Sequence, residues 1–247
     1  MVSEEMYVLG TKKSTIRTIF EFGQKRAAEV GAENVFDFSL GNPNVPAPDF
    51  IRDAAVDILM HGDPTEVHGY TIAPGKPAVR EVLAADLKRC FGMEVTGKNL
   101  FMTAGAAASV TITFKALTEP GDEFVTFAPF FPEYRVFVEA CGGKLVVVPA
   151  KTDDFQIDLT ALERAVTPRT KAVIVNSPNN PSGAVYSETT IRRLADLLRA
   201  KEQEYGRPIF IVADEPYREI VYDGAVVPCI PLFYDNTIVC YSYSKSF

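Results

Sequence analysis

A lysine preceded by small hydroxyl residues is the most informative feature of the sequence. Lys245 follows Ser242 and Ser244, shortly after the apolar run 237–240. A lysine in a partly desolvated pocket loses its proton readily, and the deprotonated amine can attack an aldehyde to form an imine. The competing interpretation is a surface lysine, since lysine is among the residues most often exposed.

A carboxylate and a phenol follow a second apolar run, 209–213. Asp214 comes directly after this run, and Tyr217 follows within the same short segment. A half-buried carboxylate needs a partner, and the protonated nitrogen of a pyridine ring would be one. The phenol of Tyr217 could then donate a hydrogen bond to an oxygen of the same ring. The alternatives are a helix N-cap for Asp214 and packing against a sheet for Tyr217.

An asparagine lies in a predicted tight turn after a third apolar run, 171–176. Asn180 is followed by Pro-Ser-Gly, residue types that fix a turn. Its side-chain amide could donate to a phenolic oxygen of a ring ligand or contact a substrate carboxylate. An ordinary turn is the alternative, because short Asn-Pro stretches also occur by chance.

Two further segments suit the phosphate and the flat face of such a ligand. Gly105, Ala106 and Ala107 open a predicted helix, where small residues let a phosphate approach unpaired N–H groups. Ser242 would add a hydroxyl to the same phosphate. Phe131 follows another apolar run and could stack on the ring. Close packing of helix on sheet and a core aromatic residue are the alternatives.

The elements that must position these residues alternate along the chain. Apolar runs predict strands at 100–103, 123–127, 144–148, 171–176, 209–213 and 237–240. Helical patterns predict helices at 14–30, 49–60, 77–91, 105–117, 131–140, 159–166 and 187–205. The strands are continuously apolar, which is typical of strands buried on both faces. We therefore predict an α/β fold, a three-layer sandwich with a mostly parallel sheet, in which ligands gather at the carboxyl ends of the strands.

Composition limits the classes of function. The 247 residues are 47% hydrophobic and carry a net charge of −7, with no basic stripe, so nucleic acid is not expected as a partner. Four scattered cysteines and two histidines predict no metal site, and the thiol pattern is typical of the reducing cytoplasm. We expect neither a signal peptide nor a membrane span. The nucleotide-binding and hydrolase motifs G-x-G-x-x-G, the P-loop and G-x-S-x-G are absent from the sequence.

Taken in order, these motifs resemble those of the class I/II aminotransferases, pyridoxal-phosphate enzymes with the aspartate aminotransferase fold. The matching order is Gly-Ala-Ala, Pro-x-aromatic-Pro, Asn-Pro-x-Gly, Asp-x-x-Tyr and Ser-x-Ser-Lys. The resemblance implies that Lys245 forms the Schiff base and moves protons, and that Asp214 pairs with the pyridine nitrogen. It also implies that Tyr217 and Asn180 bond the ring oxygen.

The remaining site residues follow from the same resemblance. Phe131 would stack on the ring, and Tyr70 would reach the phosphate bound in a neighbouring subunit, which implies a homodimer with shared active sites. Gly41 would meet the substrate carboxylate, which Asn180 could also contact. A set of small residues would hold the phosphate: Gly105, Ala106, Ala107, Ser242 and Ser244.

Two expectations concern the extent of the chain. Residues 1–40 are predicted to form an arm and a helix that contribute to a small domain, and residues 41–247 a large cofactor-binding domain. Because the family continues well beyond its lysine, we expect this chain to be the N-terminal portion of a longer protein. The large domain would then be incomplete, lacking an inner strand and the arginines that hold phosphate and substrate carboxylate.

The function implied by the resemblance is amino transfer. Pyridoxal phosphate would carry an amino group from an L-amino acid, with aspartate preferred on family frequency, to a 2-oxo acid. The same fold also hosts C–S lyases and other enzymes, and an inactive truncated relative is a further alternative.

Overall fold

The computed structural model describes residues 2–11, 15–39, 41 and 45–246. The chain forms two compact units, Met1–Arg52 and Asp53–Phe247. Residue 14, the first residue of the helix predicted at 14–30, lies outside the described residues. The predicted domain boundary between residues 40 and 41 stays a prediction.

The first unit is helical. It contains α1 (Glu4–Thr11), α2 (Thr15–Val30) and the first residues of α3 (Asp49–His61). The sequence predicted α2 and α3 within a residue or two of these bounds, whereas α1 was not predicted. Gly31 follows α2 with a φ of 91°, a conformation that glycine adopts without steric cost and that ends the helix.

A five-stranded parallel sheet organises the second unit. The spatial order is β2-β1-β3-β4-β5. The strand bounds are β1 Glu123–Phe127, β2 Lys144–Val148, β3 Thr170–Asn176, β4 Phe210–Asp214 and β5 Thr237–Cys240. All four pairings are parallel, so the carboxyl ends of the strands share one edge. The sequence predicted each of these strands to within one residue.

Both faces of the sheet are apolar because successive side chains of a strand point in opposite directions. In β3, Ala172 and Ile174 belong to one buried cluster, and Val173 and Val175 belong to the other. All four side chains are almost completely buried. This double burial explains why β3 is a continuous apolar run with no alternation of polar residues.

Helices cover the two faces. Val110 and Phe114 of α6 (Ala106–Leu117) lie in one cluster together with Val138 of α7 (Glu133–Ala140). Leu162 of α8 (Leu159–Ala165) and Leu194 of α9 (Glu188–Tyr205) lie in the other cluster. The unit is thus a sandwich of three layers, helices–sheet–helices, and the predicted architecture is confirmed.

The helices α4 and α5 precede the sandwich along the chain. α4 (Pro64–His68) was not predicted, whereas α5 (Pro77–Phe91) has the predicted bounds and begins with proline. Among the described residues, no helix combines the length and the apolar character that crossing a bilayer requires.

The predicted strand at 100–103 is wrong. The segment contains no strand residue, and Phe101 is 71% exposed. A backbone hydrogen bond to a distant residue runs from the Met102 N–H to the Pro74 carbonyl, at 3.0 Å, and Pro74 is not part of a strand. A short apolar run becomes a strand only beside a neighbouring strand that completes its hydrogen bonds, and no described strand lies beside this one.

Candidate active site

Asp214 lies at the carboxyl end of β4, on the shared edge and between β3 and β5. In the sheet register it is opposite Asn176 of β3 and Cys240 of β5. The side chain is buried, with 6% of its surface exposed. The structure therefore puts the predicted carboxylate where ligands of parallel sheets gather.

Only one of the two carboxylate oxygens of Asp214 is bonded within the described residues. Tyr134, in α7, donates its hydroxyl to Oδ2 at 2.5 Å. The other oxygen, Oδ1, is buried and has no partner there. An unsatisfied buried oxygen on an acid is costly, and its position at the ligand edge indicates that a bound group completes it.

Burial controls the protonation of this pair. Desolvation raises the pKa of Asp214 to about 6, although the hydrogen bond from Tyr134 acts in the opposite direction. The pKa of Tyr134 lies well above its ordinary value, because it is buried and faces the Asp214 carboxylate. Tyr134 therefore stays a donor, and a cation beside Oδ1 would return Asp214 to its charged form.

Tyr134 is a site residue that sequence reasoning missed. It lies in the segment that suggested Phe131, one helical turn further on, but its own pattern is that of a core aromatic residue. The rings of Phe131 and Tyr134 are 5.5 Å apart and meet edge to face at 82°. Phe131 is half-buried, so the predicted stacking residue stands beside the donor to Asp214.

The structure brings Asn180 and Tyr217 together. The Asn180 side-chain amide donates to the Tyr217 hydroxyl at 3.3 Å. Both side chains are half-buried, and burial raises the pKa of Tyr217 while the hydrogen bond from Asn180 lowers it. Two donors thus converge from different loops, as a single acceptor oxygen on a ligand requires.

Gly105 forms the turn that leads into α6. Its φ of 89° and ψ of 173° favour glycine, and no side chain caps the helix that follows. Ser109 makes the first helical bond, from its N–H to the Gly105 carbonyl at 3.1 Å. The earlier amides, including those of Ala106 and Ala107, lie outside the helical pattern and suit an anion.

The lysine turn follows β5 at the same edge of the sheet. Ser242 donates its hydroxyl to the Ser244 hydroxyl at 3.0 Å and accepts from the Ser244 N–H at 3.1 Å. Lys245 is half-buried in this turn, a few residues beyond Cys240, the register partner of Asp214. The Ser-x-Ser-Lys motif is therefore one compact turn that follows β5, the strand next to the one that carries the buried acid.

The remaining predicted residues are Tyr70 and Gly41. Tyr70 is fully exposed, at 109% of its reference surface, in the loop between α4 and α5. Gly41 belongs to the first unit. Their predicted contacts with phosphate and substrate stay predictions.

The residues present fit pyridoxal phosphate. The unpaired Oδ1 of Asp214 suits a protonated ring nitrogen, the Asn180–Tyr217 pair suits a phenolic oxygen, and the Gly105 turn suits a phosphate. Among the described residues, no three side chains of His, Cys, Asp or Glu are grouped as a metal site would require.

The sheet and its edge define a class of protein, and comparison with known families identifies it. The sequence model for aminotransferases of class I and II matches residues 33–247. The chain therefore belongs to the class I and II aminotransferases, as the order of its motifs predicted.

Solved aminotransferases share the fold. An amino transferase of Eubacterium rectale is 56% identical, with a TM-score of 0.96 over 99% of this chain and 62% of that one. The aspartate aminotransferase of Thermus thermophilus with maleate is 29% identical, with a TM-score of 0.83 over 100% of this chain and 62% of that one.

Curated relatives carry similar names. A probable aspartate/prephenate aminotransferase of Thermus aquaticus is 34% identical, and the match covers 84% of this chain and 52% of that protein. An aspartate aminotransferase of Pyrococcus horikoshii is 32% identical over 97% of this chain and 58% of that protein. The chain thus spans about half the length of the curated relatives it matches.

The buried acid predicts a pH-dependent penalty in stability. Because the pKa of Asp214 is raised, the folded state binds a proton that the unfolded state releases between about pH 4 and pH 6. The penalty is absent below this window and complete above it. Asp214→Asn should therefore stabilise the cofactor-free protein at pH 8 by on the order of 2 kcal/mol, with a smaller gain at pH 5. Urea denaturation measures both.

The control for this prediction is Asp196→Asn, on the exposed side of α9, where the carboxylate pairs with Arg199 near the surface. Its effect should stay below about 1 kcal/mol and change little between the two pH values. An Asp214→Asn protein with the same gain at pH 5 and pH 8 would contradict the assignment of the penalty to this carboxylate.

Removing the donor to Asp214 should have the opposite effect. Tyr134→Phe leaves Oδ2 unbonded as well, so we expect a loss of about 1–3 kcal/mol at pH 8 and a smaller loss at pH 5, where the acid is more protonated. Tyr186→Phe is the matched control, since burial alone raises the pKa of that tyrosine to about 12. Equal pH dependence in the two variants would count against the Tyr134–Asp214 bond.

Proposed function

We propose that this protein is a pyridoxal-phosphate-dependent aminotransferase that moves an amino group from an L-amino acid to a 2-oxo acid. The observation that carries the proposal is the buried carboxylate of Asp214, held by Tyr134 through one oxygen and unpartnered at the other. Membership of the aminotransferase family supports the same conclusion.

The cofactor, when bound, supplies an electron-withdrawing ring that stabilises negative charge at the substrate α-carbon. Asp214 would hold its ring nitrogen in the protonated form. Since desolvation disfavours the charged carboxylate, a cation at Oδ1 would be strongly preferred there. Tyr134 keeps Oδ2 occupied and so directs Oδ1 toward the ligand.

Asn180 and Tyr217 would hold the ring through its phenolic oxygen. The Asn180 amide and the Tyr217 hydroxyl are already in contact, so both can donate to one ring oxygen without large movement. Donors fixed before the ligand arrives lose little conformational entropy on binding. Phe131 would cover one face of the ring and exclude water.

Lys245 would act as the proton carrier. Its Nζ would carry a proton from the substrate α-carbon to C4′ of the cofactor in the first half of the cycle, and from C4′ to the α-carbon of the second substrate in the other half. Its turn is fixed by the Ser242–Ser244 hydrogen bonds, which limits the volume that the amine samples. The hydroxyls of both serines and the amides of the Gly105 turn would hold the phosphate.

We propose aspartate as the amino donor. The support is the names of relatives, two of which act on aspartate or prephenate by name. Another relative of comparable identity is named for arginine and pyruvate, so a screen of amino donors with 2-oxoglutarate is the direct test of specificity.

We propose the cytoplasm as the location of the protein. Four unpaired cysteines among the described residues support a reducing compartment.

Replacing the lysine tests the proposal. In Lys245→Ala we expect no visible absorbance that borohydride bleaches, no reduced cofactor on peptides containing residue 245, and amino transfer slower by about 10²-fold or more. Lys88→Ala is the control, because Lys88 pairs with Glu94 at the surface. If the wild-type protein forms no borohydride-reducible adduct with pyridoxal phosphate, the proposed function is wrong.

We also propose a homodimer in which Tyr70 serves the neighbouring active site. Tyr70 is fully exposed, and no residue of α3 is buried. The part of α3 within the second unit exposes a run of apolar side chains: Val56, Ile58, Leu59 and Met60. Such a surface favours burial against another protein surface, here a second copy of the chain.

Mixing two inactive variants tests the sharing of sites. Lys245→Ala and Tyr70→Ala subunits, coexpressed with different tags and purified as the mixed dimer, should bind one cofactor per dimer with wild-type affinity. The reason is that one site then contains Lys245 of one subunit and Tyr70 of the other. If Tyr70 instead serves its own subunit, no site is intact, and affinity stays at the level of Tyr70→Ala. A monomeric protein by sedimentation would exclude the proposal outright.

A further inference from the structure

We propose that Asn176 is a positioning residue that fixes Asn180 and Asp214 relative to each other. This inference rests on the proposed function, because those two residues are the ones assigned to the ring nitrogen and the phenolic oxygen of the cofactor. Asn176 is the last residue of β3, and only 5% of its surface is exposed. Its hydrogen bonds to Asp214 and Asn180 go to the backbone of each residue and not to the side chain that would contact the cofactor.

The two ends of the Asn176 amide are bonded to two different parts of the site. Its Nδ2 donates to the Asp214 backbone carbonyl at 2.8 Å. Its Oδ1 accepts from the Asn180 backbone N–H at 2.7 Å. One rigid side-chain plane therefore spans the distance between the acid and the amide that are assigned to the ring nitrogen and the ring oxygen.

The hydrogen bond from Asn176 to the Asp214 carbonyl adds a side-chain bond at the end of the β3–β4 pairing. Asn176 and Asp214 are register partners at the ends of β3 and β4. On the other side of β4, the Glu215 N–H donates to the Cys240 carbonyl of β5 at 2.9 Å. The backbone around Asp214 is thereby fixed from both neighbouring strands, and the bond on the β3 side comes from a side chain.

The bond to Asn180 is not needed to form the turn itself. The turn closes through Asn179, whose N–H donates to the Ala184 carbonyl at 2.9 Å. The Asn179 side chain also accepts from the Ser182 N–H at 3.1 Å. What Asn176 adds is the attachment of this closed turn to β4, which directs the Asn180 side chain toward Tyr217.

Asparagine suits this role because its side chain offers a donor and an acceptor at opposite ends of one plane. Aspartate would lack the donor, and leucine, of similar size, would lack both. Catalytic groups must be held within a fraction of an ångström, and residues that do so act through buried hydrogen bonds.

Asn176→Leu and Asn176→Ser, compared with a matched control, test the inference. The control is Gln156→Leu: Gln156 also bridges by its amide, to the Val185 carbonyl and the Ser187 N–H, but at the far end of the same segment. For both Asn176 variants we expect the Kd of pyridoxal phosphate to rise by about tenfold. Gln156→Leu should leave that Kd unchanged while lowering stability to urea.

A second measurement does not depend on the cofactor, and its result for the wild type does not depend on the variants. Hydrogen exchange of the Asn180 backbone amide in the cofactor-free protein should be slow in the wild type and in Gln156→Leu, and faster in Asn176→Ser. Rapid exchange of that amide in the wild type would overturn the inference even if every variant misfolded.

The outcomes separate the two proposals. A wild-type protein that binds the cofactor, with Asn176→Leu and Gln156→Leu weakened alike, shows that Asn176 serves stability only and overturns the inference alone. A wild-type protein that forms no reducible adduct overturns the proposed function, and the inference with it. Weakening confined to the Asn176 variants supports both.

Discussion

A carboxylate buried with one bonded oxygen and one unbonded oxygen is the constraint on which the rest of the site depends. Folding must place Asp214 in the low-dielectric edge of the sheet, where its charged form is disfavoured. The core beneath it offsets this cost through two apolar clusters on the two faces of the same strands. The burial that prepares Asp214 for a ligand therefore lowers the stability of the folded chain, and the apolar packing of the sandwich offsets this loss.

The neighbouring acid shows how the chain treats a buried charge that no ligand completes. Glu215 accepts from Arg218 Nε at 2.7 Å, and the other guanidinium nitrogens of Arg218 donate to the Val227 and Pro228 carbonyls. Burial raises the pKa of Glu215 to about 7, but the charge of Arg218 opposes this rise. Each of the two adjacent acids has one buried oxygen without a partner among the described residues, Oε1 of Glu215 and Oδ1 of Asp214. They differ in charge pairing: Glu215 forms an ion pair with Arg218, whereas the described partner of Asp214 is the neutral hydroxyl of Tyr134, which leaves Asp214 able to pair with a cationic ligand.

The sequence allowed the chemistry at the ends of strands to be predicted, but not the contacts between distant segments. Lys245, Asp214 and Asn180 were identifiable because each follows a buried apolar run, and five of the six predicted strands exist. Tyr134 was not identifiable, since its bond to Asp214 joins residues 80 positions apart and its local pattern is that of a core residue. The strand predicted at 100–103 failed for the same reason, because a strand exists only beside a partner that local sequence does not specify.

The parallel register explains why residues so far apart in sequence can form one site. Asn176, Asp214 and Cys240 form a single row across β3, β4 and β5. A slip of one residue in β4 would turn Asp214 to the opposite face and bring Ala213 to its place. The face of the sheet on which Asp214 lies is therefore fixed by the packing of Ile211 and Val212, which come shortly before it in β4 and belong to opposite clusters. The segments at the strand ends carry the functional side chains, but the packing of the core determines the positions of those side chains.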